Sequence, residues 1–157
     1  MKELIEYREK LINRLASVAR EFLEACLAVK DSQTPLEEGG WNVHQIVAHT
    51  RDVNDLVYGL RAKRTAQEDN PEFQNFDGDA YMAEHYDAGA PLSEMLDKFV
   101  ENVETLCGFL RSLPAEAWSR ESRHITFGDG FTLQTWIERN LAHIEEHLET
   151  VKKGEKQ

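Results

Sequence analysis

The sequence is poor in residues that interrupt helices or cross-link small folds, with 4 Pro, 9 Gly and 2 Cys among 157 residues. So few cysteines exclude a disulfide scaffold. Cys26 and Cys107 each lie on the apolar side of a predicted helix, so we expect both to be free, buried thiols. There is no apolar run long enough to cross a bilayer, and the first residues, MKELIEYREKLI, are charged where a signal peptide would be apolar. We therefore expect a cytoplasmic protein with no membrane partner.

Basic residues are also scarce. The 18 Lys and Arg are outnumbered by 29 Asp and Glu, which gives a net charge of −11. Sequence-independent nucleic-acid binding requires clustered positive charge, so nucleic acid is not an expected partner. With 41% hydrophobic and 30% charged residues, the chain is typical of a helix-rich globular protein. Its length fits one domain over residues 1–157.

Apolar residues at three- and four-residue steps predict four long helices, at about 2–29, 43–64, 91–113 and 133–152. Asn42 can cap the second helix and complete a capping box with Gln45. Between the second and third helices, an acidic connection over about 65–90 carries turn signals and has at most a short helix. The stretch ITFGDGFT before the fourth helix predicts a small turn or hairpin, in which we expect His124 to be exposed.

These elements predict an all-α four-helix bundle. The first connection is short, so the second helix should return antiparallel to the first, whereas the long crossover allows the second and third helices to run parallel. The second helix should present Ile46, Val53, Leu56 or Val57, and Leu60 to the core.

The fourth helix carries the most informative spacing, His143 and His147 within LAHIEEHL. At i and i+4 two imidazoles lie on one face and can reach one metal ion. His147 falls about 40° and Trp136 about 20° around the helix from His143, at the edge of the apolar stripe. For an isolated pair, two partly buried histidines bonded to neighbouring groups would be the better interpretation.

A third histidine favours the metal. His49 fills the gap between Ile46 and Val53 in the stripe of the second helix, whereas His44 lies about 140° away. If the second and fourth helices are antiparallel, His49 and His147 lie at about the same depth, roughly 10 Å and 8 Å from adjacent helix ends. We therefore predict one divalent-metal site formed by His49, His143 and His147.

Four stretches in this order, GGWNVHQIVAHTRD, FDGDAYMAEHYDAGAPLSEMLDKF, LPAEAWSR and FTLQTWIERNLAHIEEHLETV, resemble the DinB/YfiT-like superfamily over nearly the whole chain. The resemblance implies a bundle with up-down-down-up helices, a homodimer, and a divalent metal held by one histidine of the second helix and the HxxxH pair of the fourth. In this chain those positions are His49, His143 and His147.

Three neutral imidazoles leave a coordination position open, as in catalytic metal sites, and imidazole suits Zn, Ni and Fe alike. Members of the superfamily include transferases that use low-molecular-weight thiols such as bacillithiol, mycothiol and glutathione. By that resemblance we expect transfer of a thiol co-substrate to an electrophilic small molecule. Asp52 and Glu146 could orient imidazole N–H groups or accept a proton, or could be solvated surface carboxylates.

Two alternatives remain open from the sequence. The same ion could hydrolyse a small ester or amide. HIEEH matches the inverted zinc-protease pattern HxxEH, but a protease is not expected, because that family's third ligand lies well downstream and only ten residues follow His147 here. The chain could also be a non-enzymatic helical dimer with a structural or vestigial metal.

Overall fold

The structure, a computed structural model, describes residues 1–37 and 40–155. Gly39, in the short connection that follows the first predicted helix, lies outside the described residues. The helices are α1 (Lys2–Ala28), α2 (Val43–Val53), α3 (Leu60–Gln67), α4 (Gly78–His85), α5 (Leu92–Arg111) and α6 (Leu133–Glu155). None of the helices within these described ranges has both the length and the apolar character that a membrane crossing needs.

The predicted bundle is present. Long helix α1 packs against both α5 and α6, and α2 packs against α5 and α6. The interior is filled by large side chains from these helices, including Phe22, Phe99 and Trp136, all at most 1% exposed. Cys26 and Cys107 are buried and free, as predicted. Burial raises the pKa of Cys26 to about 12 and that of Cys107 to about 11, so neither thiol is a nucleophile at neutral pH.

The second predicted helix is built as α2 and α3 joined by a π-helical segment, Asn54–Gly59. Its start follows the predicted capping box, in which Asn42 accepts from the Gln45 backbone N–H and the Gln45 side chain accepts in return. A π segment adds about one residue to the local turn and so rotates everything after it by about 100° relative to an unbroken α-helix.

That rotation explains a wrong prediction about this helix. Leu60, expected in the core, is 45% exposed, and Leu56 is exposed as well. Val57 is buried, and beyond it Arg61, Ala62 and Thr65 take the inward positions. In an unbroken α-helix, Arg61 and His49 would point in directions about 120° apart around the helix axis. The added residue of the π segment reduces this angle to about 20°, so both side chains lie on the same side of the helix.

A small sheet is also present, so the description of the chain as all-α was incomplete. The stretch before α6 forms an antiparallel hairpin of β2 (Glu121–His124) and β3 (Gly128–Thr132). The connection between α3 and α4 adds β1 (Glu72–Phe73), which pairs in parallel with β2. The sheet is anchored to α6 through Trp136, whose indole N–H donates to Ser122 Oγ at 2.8 Å.

A substitution at Gly59 tests whether the π segment depends on glycine. A Cβ at Gly59 would lie 2.5 Å from the Asn54 carbonyl oxygen, a backbone atom that cannot move without unwinding the segment. We predict that Gly59→Ala lowers the free energy of unfolding by roughly 1–3 kcal/mol, measured by urea denaturation. The matched control is Gly108→Ala in α5, where a Cβ meets nothing within 4 Å, and which should be neutral or stabilising. Equal effects of the two substitutions would contradict a π segment that depends on glycine.

Candidate metal centre

Three imidazoles converge between α2 and α6. The Nε2 atom of His143 lies 3.3 Å from Nε2 of His49 and 3.0 Å from Nε2 of His147. One ligand nitrogen from each of the three residues lies within 4.8 Å of the other two. The structure therefore brings together the three histidines that the sequence singled out.

Both helices present these histidines because of their apolar periodicity. On α6, Ile137, Ile144 and Leu148 are buried in the core, and the two histidines follow the edge of that stripe. On α2, the His49 ring is confined on one side by the Trp41 indole, with ring centroids 5.0 Å apart. On another side the backbone of Gly78 approaches it, so that a Cβ there would lie 3.1 Å from His49 Cε1. The start of α4 thus closes over His49.

Burial governs the charge of the cluster. Desolvation, followed by the charges of the other two histidines, lowers the pKa of His143 to about 3. Desolvation and the charge of His49 lower the pKa of His147 to about 4. Desolvation also lowers the pKa of His49, against the opposing effect of Asp52 and Asp79. All three imidazoles are therefore neutral at pH 7, the form that ligates a metal.

The donor set fits a divalent ion. Metal–nitrogen bonds of about 2.0–2.1 Å in a tetrahedral site place ligand nitrogens about 3.3 Å apart, close to the 3.0 and 3.3 Å separations measured from His143. Neutral imidazoles have only one N–H each to share, so three facing nitrogens leave lone pairs directed at one another. A cation between them satisfies these lone pairs, and the residues present fit such an ion.

A buried polar pair lies one turn before His143. Asn140 is fully buried, and its Nδ2 donates to Oδ1 of Asn54, in the π segment, at 2.9 Å. Asn140 Oδ1 and His143 Nδ1 are sealed from solvent and have no hydrogen-bond partner within the described chain. These two atoms belong to residues three apart, which lie on one face of the helix.

The other sequence candidates are less directly connected to the centre. Asp52 is close enough to influence His49 electrostatically, but its carboxylate accepts from Arg51 Nε at 3.0 Å. Glu146 lies on the exposed side of α6. His44 faces away from the cluster, as expected, yet it is 2% exposed and its ring nitrogens bond to Tyr86 Oη and the Ala90 carbonyl. It is a packing group beneath the connection that leads to α5.

A cavity of about 280 Å³ opens beside the cluster and includes residues that the sequence reasoning missed. Besides His49 and His143, its walls include Tyr58, Arg61, Phe76, His124 and Phe127. Its volume suits a small molecule. The acidic connection contributes Phe76, the π segment contributes Tyr58, and the hairpin contributes His124 and Phe127.

His124 corrects an expectation. It was expected on the surface, but it is 4% exposed. The alternation of buried and exposed positions along β2 turns Ser122 and His124 inward and Glu121 and Arg123 outward. That period of two is present in ESRH, but it has meaning only once β2 is known to be a strand with one face covered.

Fold and site together define a four-helix bundle with a three-histidine centre that opens into a small cavity. The sequence model of the DinB superfamily matches residues 14–151, and the chain belongs to that superfamily. The sequence resemblance noted above is thereby confirmed.

Relatives carry consistent names. A Bacillus pumilus protein named "Putative metal-dependent hydrolase" is 29% identical over 150 residues, covering 90% of this chain and 85% of its own. The Bacillus subtilis protein YfiT, with the same description, is 29% identical over 90% of this chain and 84% of its own. A solved structure of YfiT, described as "a probable metal-dependent hydrolase with an unusual four-helix bundle topology", has a TM-score of 0.87 at 25% identity, covering 96% of this chain and 87% of that one.

Gly78 offers a test of how closely α4 confines His49. We predict that Gly78→Ala weakens zinc binding roughly tenfold, because the added Cβ, 3.1 Å from His49 Cε1, displaces a ring that Trp41 holds from another side. Competition with a chromophoric zinc chelator measures the affinity. Gly108→Ala is the control and should bind zinc as the wild type does. Unchanged affinity in Gly78→Ala would mean that the ring has room to move.

The pKa shifts predict the pH dependence of stability in metal-free protein. Folding lowers the pKa of His143 to about 3 and of His147 to about 4, from the ordinary 6.5. The unfolded chain therefore binds more protons below pH 6.5, so the free energy of unfolding is greatest above that pH and decreases toward pH 4. Urea denaturation at about pH 7.5 and about pH 5 measures the loss. His143→Gln should reduce that loss and His85→Gln, on the exposed side of α4, should not; equal losses would show that other groups govern it.

Proposed function

We propose that this protein is a metal-dependent hydrolase of small esters or amides, with His49, His143 and His147 as the ligands of one divalent ion. The observation that carries the proposal is the convergence of three neutral imidazoles, two of which, those of His49 and His143, line a cavity of small-molecule size. The relatives carry the name "Putative metal-dependent hydrolase", which supports the same reaction class. They give no support to the thiol transfer expected from the sequence.

When bound, a divalent ion with three imidazole ligands and an open position supplies Lewis acidity, which lowers the pKa of water and polarises a carbonyl. The chain's own residues hold and orient these ligands. Trp41 and Gly78 confine the His49 ring, and Asn140 lies one turn from His143. Phe76 and Phe127 give the cavity apolar walls that limit the water around a bound substrate.

Zn, Ni and Fe all suit this donor set, and we propose no preference among them. We also propose the up-down-down-up arrangement and the homodimer that the superfamily implies. Small molecules are the substrates we propose, since the net charge of −11 disfavours nucleic acid and anionic membranes.

The first test is elemental analysis of protein purified without a metal-affinity column, beside His49→Ala and His143→Ala. We predict about one divalent ion per chain in the wild type and none in either variant. His85→Ala, at an exposed position, is the control and should retain the ion. Absence of metal, with no uptake of Zn, Ni or Fe(II), would contradict the proposal that the protein is a metal-dependent hydrolase.

Activity is then measured with the loaded protein on a panel of small esters and amides. Hydrolysis should disappear on chelation and in His49→Ala, and return when the metal is restored. A parallel assay supplies bacillithiol or glutathione with an aryl chloride electrophile. Metal-dependent conjugation in the second assay, with no hydrolysis in the first, would replace hydrolysis with thiol transfer.

A further inference from the structure

Arg61 is a buried cation without an acidic partner. Its side chain is among the buried polar groups, at 8% exposure, and its guanidinium lies 4.8 Å from the centroid of the Trp136 ring and 5.8 Å from that of Phe73. Nη2 donates to the Gln74 carbonyl at 2.9 Å. Within the described chain, no carboxylate forms an ion pair with Arg61, and burial, together with the positive charge of Arg139, lowers its pKa. Buried charges are costly unless paired, so this arrangement calls for an anion from outside the chain.

The rest of the guanidinium is available to such an anion. Nε and Nη1 of Arg61 make no hydrogen bond with the described residues, and neither is sealed from solvent. Arg61 lines the cavity that also reaches His49 and His143. The two aromatic rings and the Gln74 carbonyl hold the planar group in place, so little entropy is lost when it binds a ligand.

His124 adds a donor of defined direction. Its Nδ1 accepts hydrogen bonds from the backbone N–H groups of Thr126 at 3.1 Å and Phe127 at 3.2 Å. An accepting Nδ1 carries no proton, so in the neutral ring the proton is on Nε2. The ring is further fixed by stacking on Phe127, with centroids 4.5 Å apart. Nε2 has no partner within the described chain and is not sealed, and His124 lines the same cavity.

Arg61, Arg139 and His124 also lie near one another. Burial first, then the positive charges of Arg61 and Arg139, lower the pKa of His124. His124 therefore stays neutral and keeps Nε2–H as its donor. The acidic groups Asp52 and Asp79 act on His49 instead, and neither lines the cavity. In a chain with a net charge of −11, the cavity wall thus carries the positive charge of Arg61 and the donor of His124.

We propose that the guanidinium of Arg61 and the Nε2–H of His124 form a subsite for a carboxylate of the substrate. Their combined charge is that of one guanidinium, which matches one carboxylate. Resting on the hydrolase proposed above, the subsite makes the substrate class a small ester or amide that carries a free carboxylate, such as the half-ester of a dicarboxylic acid. The carboxylate binds at Arg61 and the scissile carbonyl faces the histidines.

The test measures binding without metal and without turnover. Metal-free protein labelled with ¹⁵N in histidine is titrated with succinate and, separately, with the neutral isostere succinamide. We predict a saturable shift of the His124 Nε2 resonance with succinate and none with succinamide. The resonance is assigned by its loss in His124→Asn. Equal shifts with the two compounds, or no shift with either, would overturn the subsite.

Two variants then distinguish a specific role of Arg61 from a general effect of removing a positive charge. Arg61→Met should weaken succinate binding about tenfold or more, because a charge-assisted hydrogen bond is lost. Arg64→Met is the matched control, since Arg64 is on the same helix, pairs with Glu68 and does not line the cavity. Equal weakening in both variants would also overturn the subsite.

Failure of the subsite is distinguishable from failure of the hydrolase. One outcome would support the hydrolase and contradict the subsite: metal-dependent hydrolysis of diethyl succinate and monoethyl succinate with equal KM, and no shift of the His124 resonance with succinate. The opposite outcome would support the subsite and contradict the hydrolase: succinate shifts the His124 resonance, Arg61→Met abolishes that shift, and the protein hydrolyses no ester.

Discussion

Desolvation of three imidazoles inside the bundle is the interaction on which the rest of the site depends. It keeps His49, His143 and His147 neutral at pH values where free histidine begins to protonate. Three imidazolium ions could not remain at 3.0 to 3.3 Å separations. The aliphatic core on α6, through Ile144 and Leu148, therefore sets the chemistry of the cluster as well as the stability of the fold.

The sequence was sufficient for the parts of the molecule that follow helical periodicity. The HxxxH spacing on α6 and the place of His49 in the stripe of α2 both depend on the 3.6-residue repeat over short distances. Phase errors are small over one or two turns, so the three histidines were predicted correctly as neighbours. The capping box at Asn42 and Gln45 is local in the same sense.

Arg61 and His124 could not be predicted in that way. Arg61 is separated from His49 by the π segment, whose extra residue rotates the following residues by about 100° around the helix axis. Nothing in NDLVYG alone distinguishes this segment from an α-helix. His124 is inward because β2 pairs with β1 from a distant connection and lies against Trp136. Both positions depend on contacts between segments far apart in the chain, which single-sequence periodicity does not contain.

The histidine cluster and the cavity beside it are built partly by different kinds of segment. The cluster is built on the regular helices α2 and α6, whereas about half of the residues that line the cavity come from irregular segments: the π segment, the α3 to α4 connection and the hairpin. The pairing of Phe73 in β1 with His124 in β2 ties two of these segments together, and Arg61 lies against Phe73 and donates to the neighbouring Gln74. The wall that carries Arg61 and His124 is thus one connected unit, supported by the Trp136 ring on α6. Under the proposed function, substitutions in this unit are expected to alter which molecule binds without disturbing the helical periodicity that holds the histidines, because specificity and metal binding then depend on separable parts of the chain.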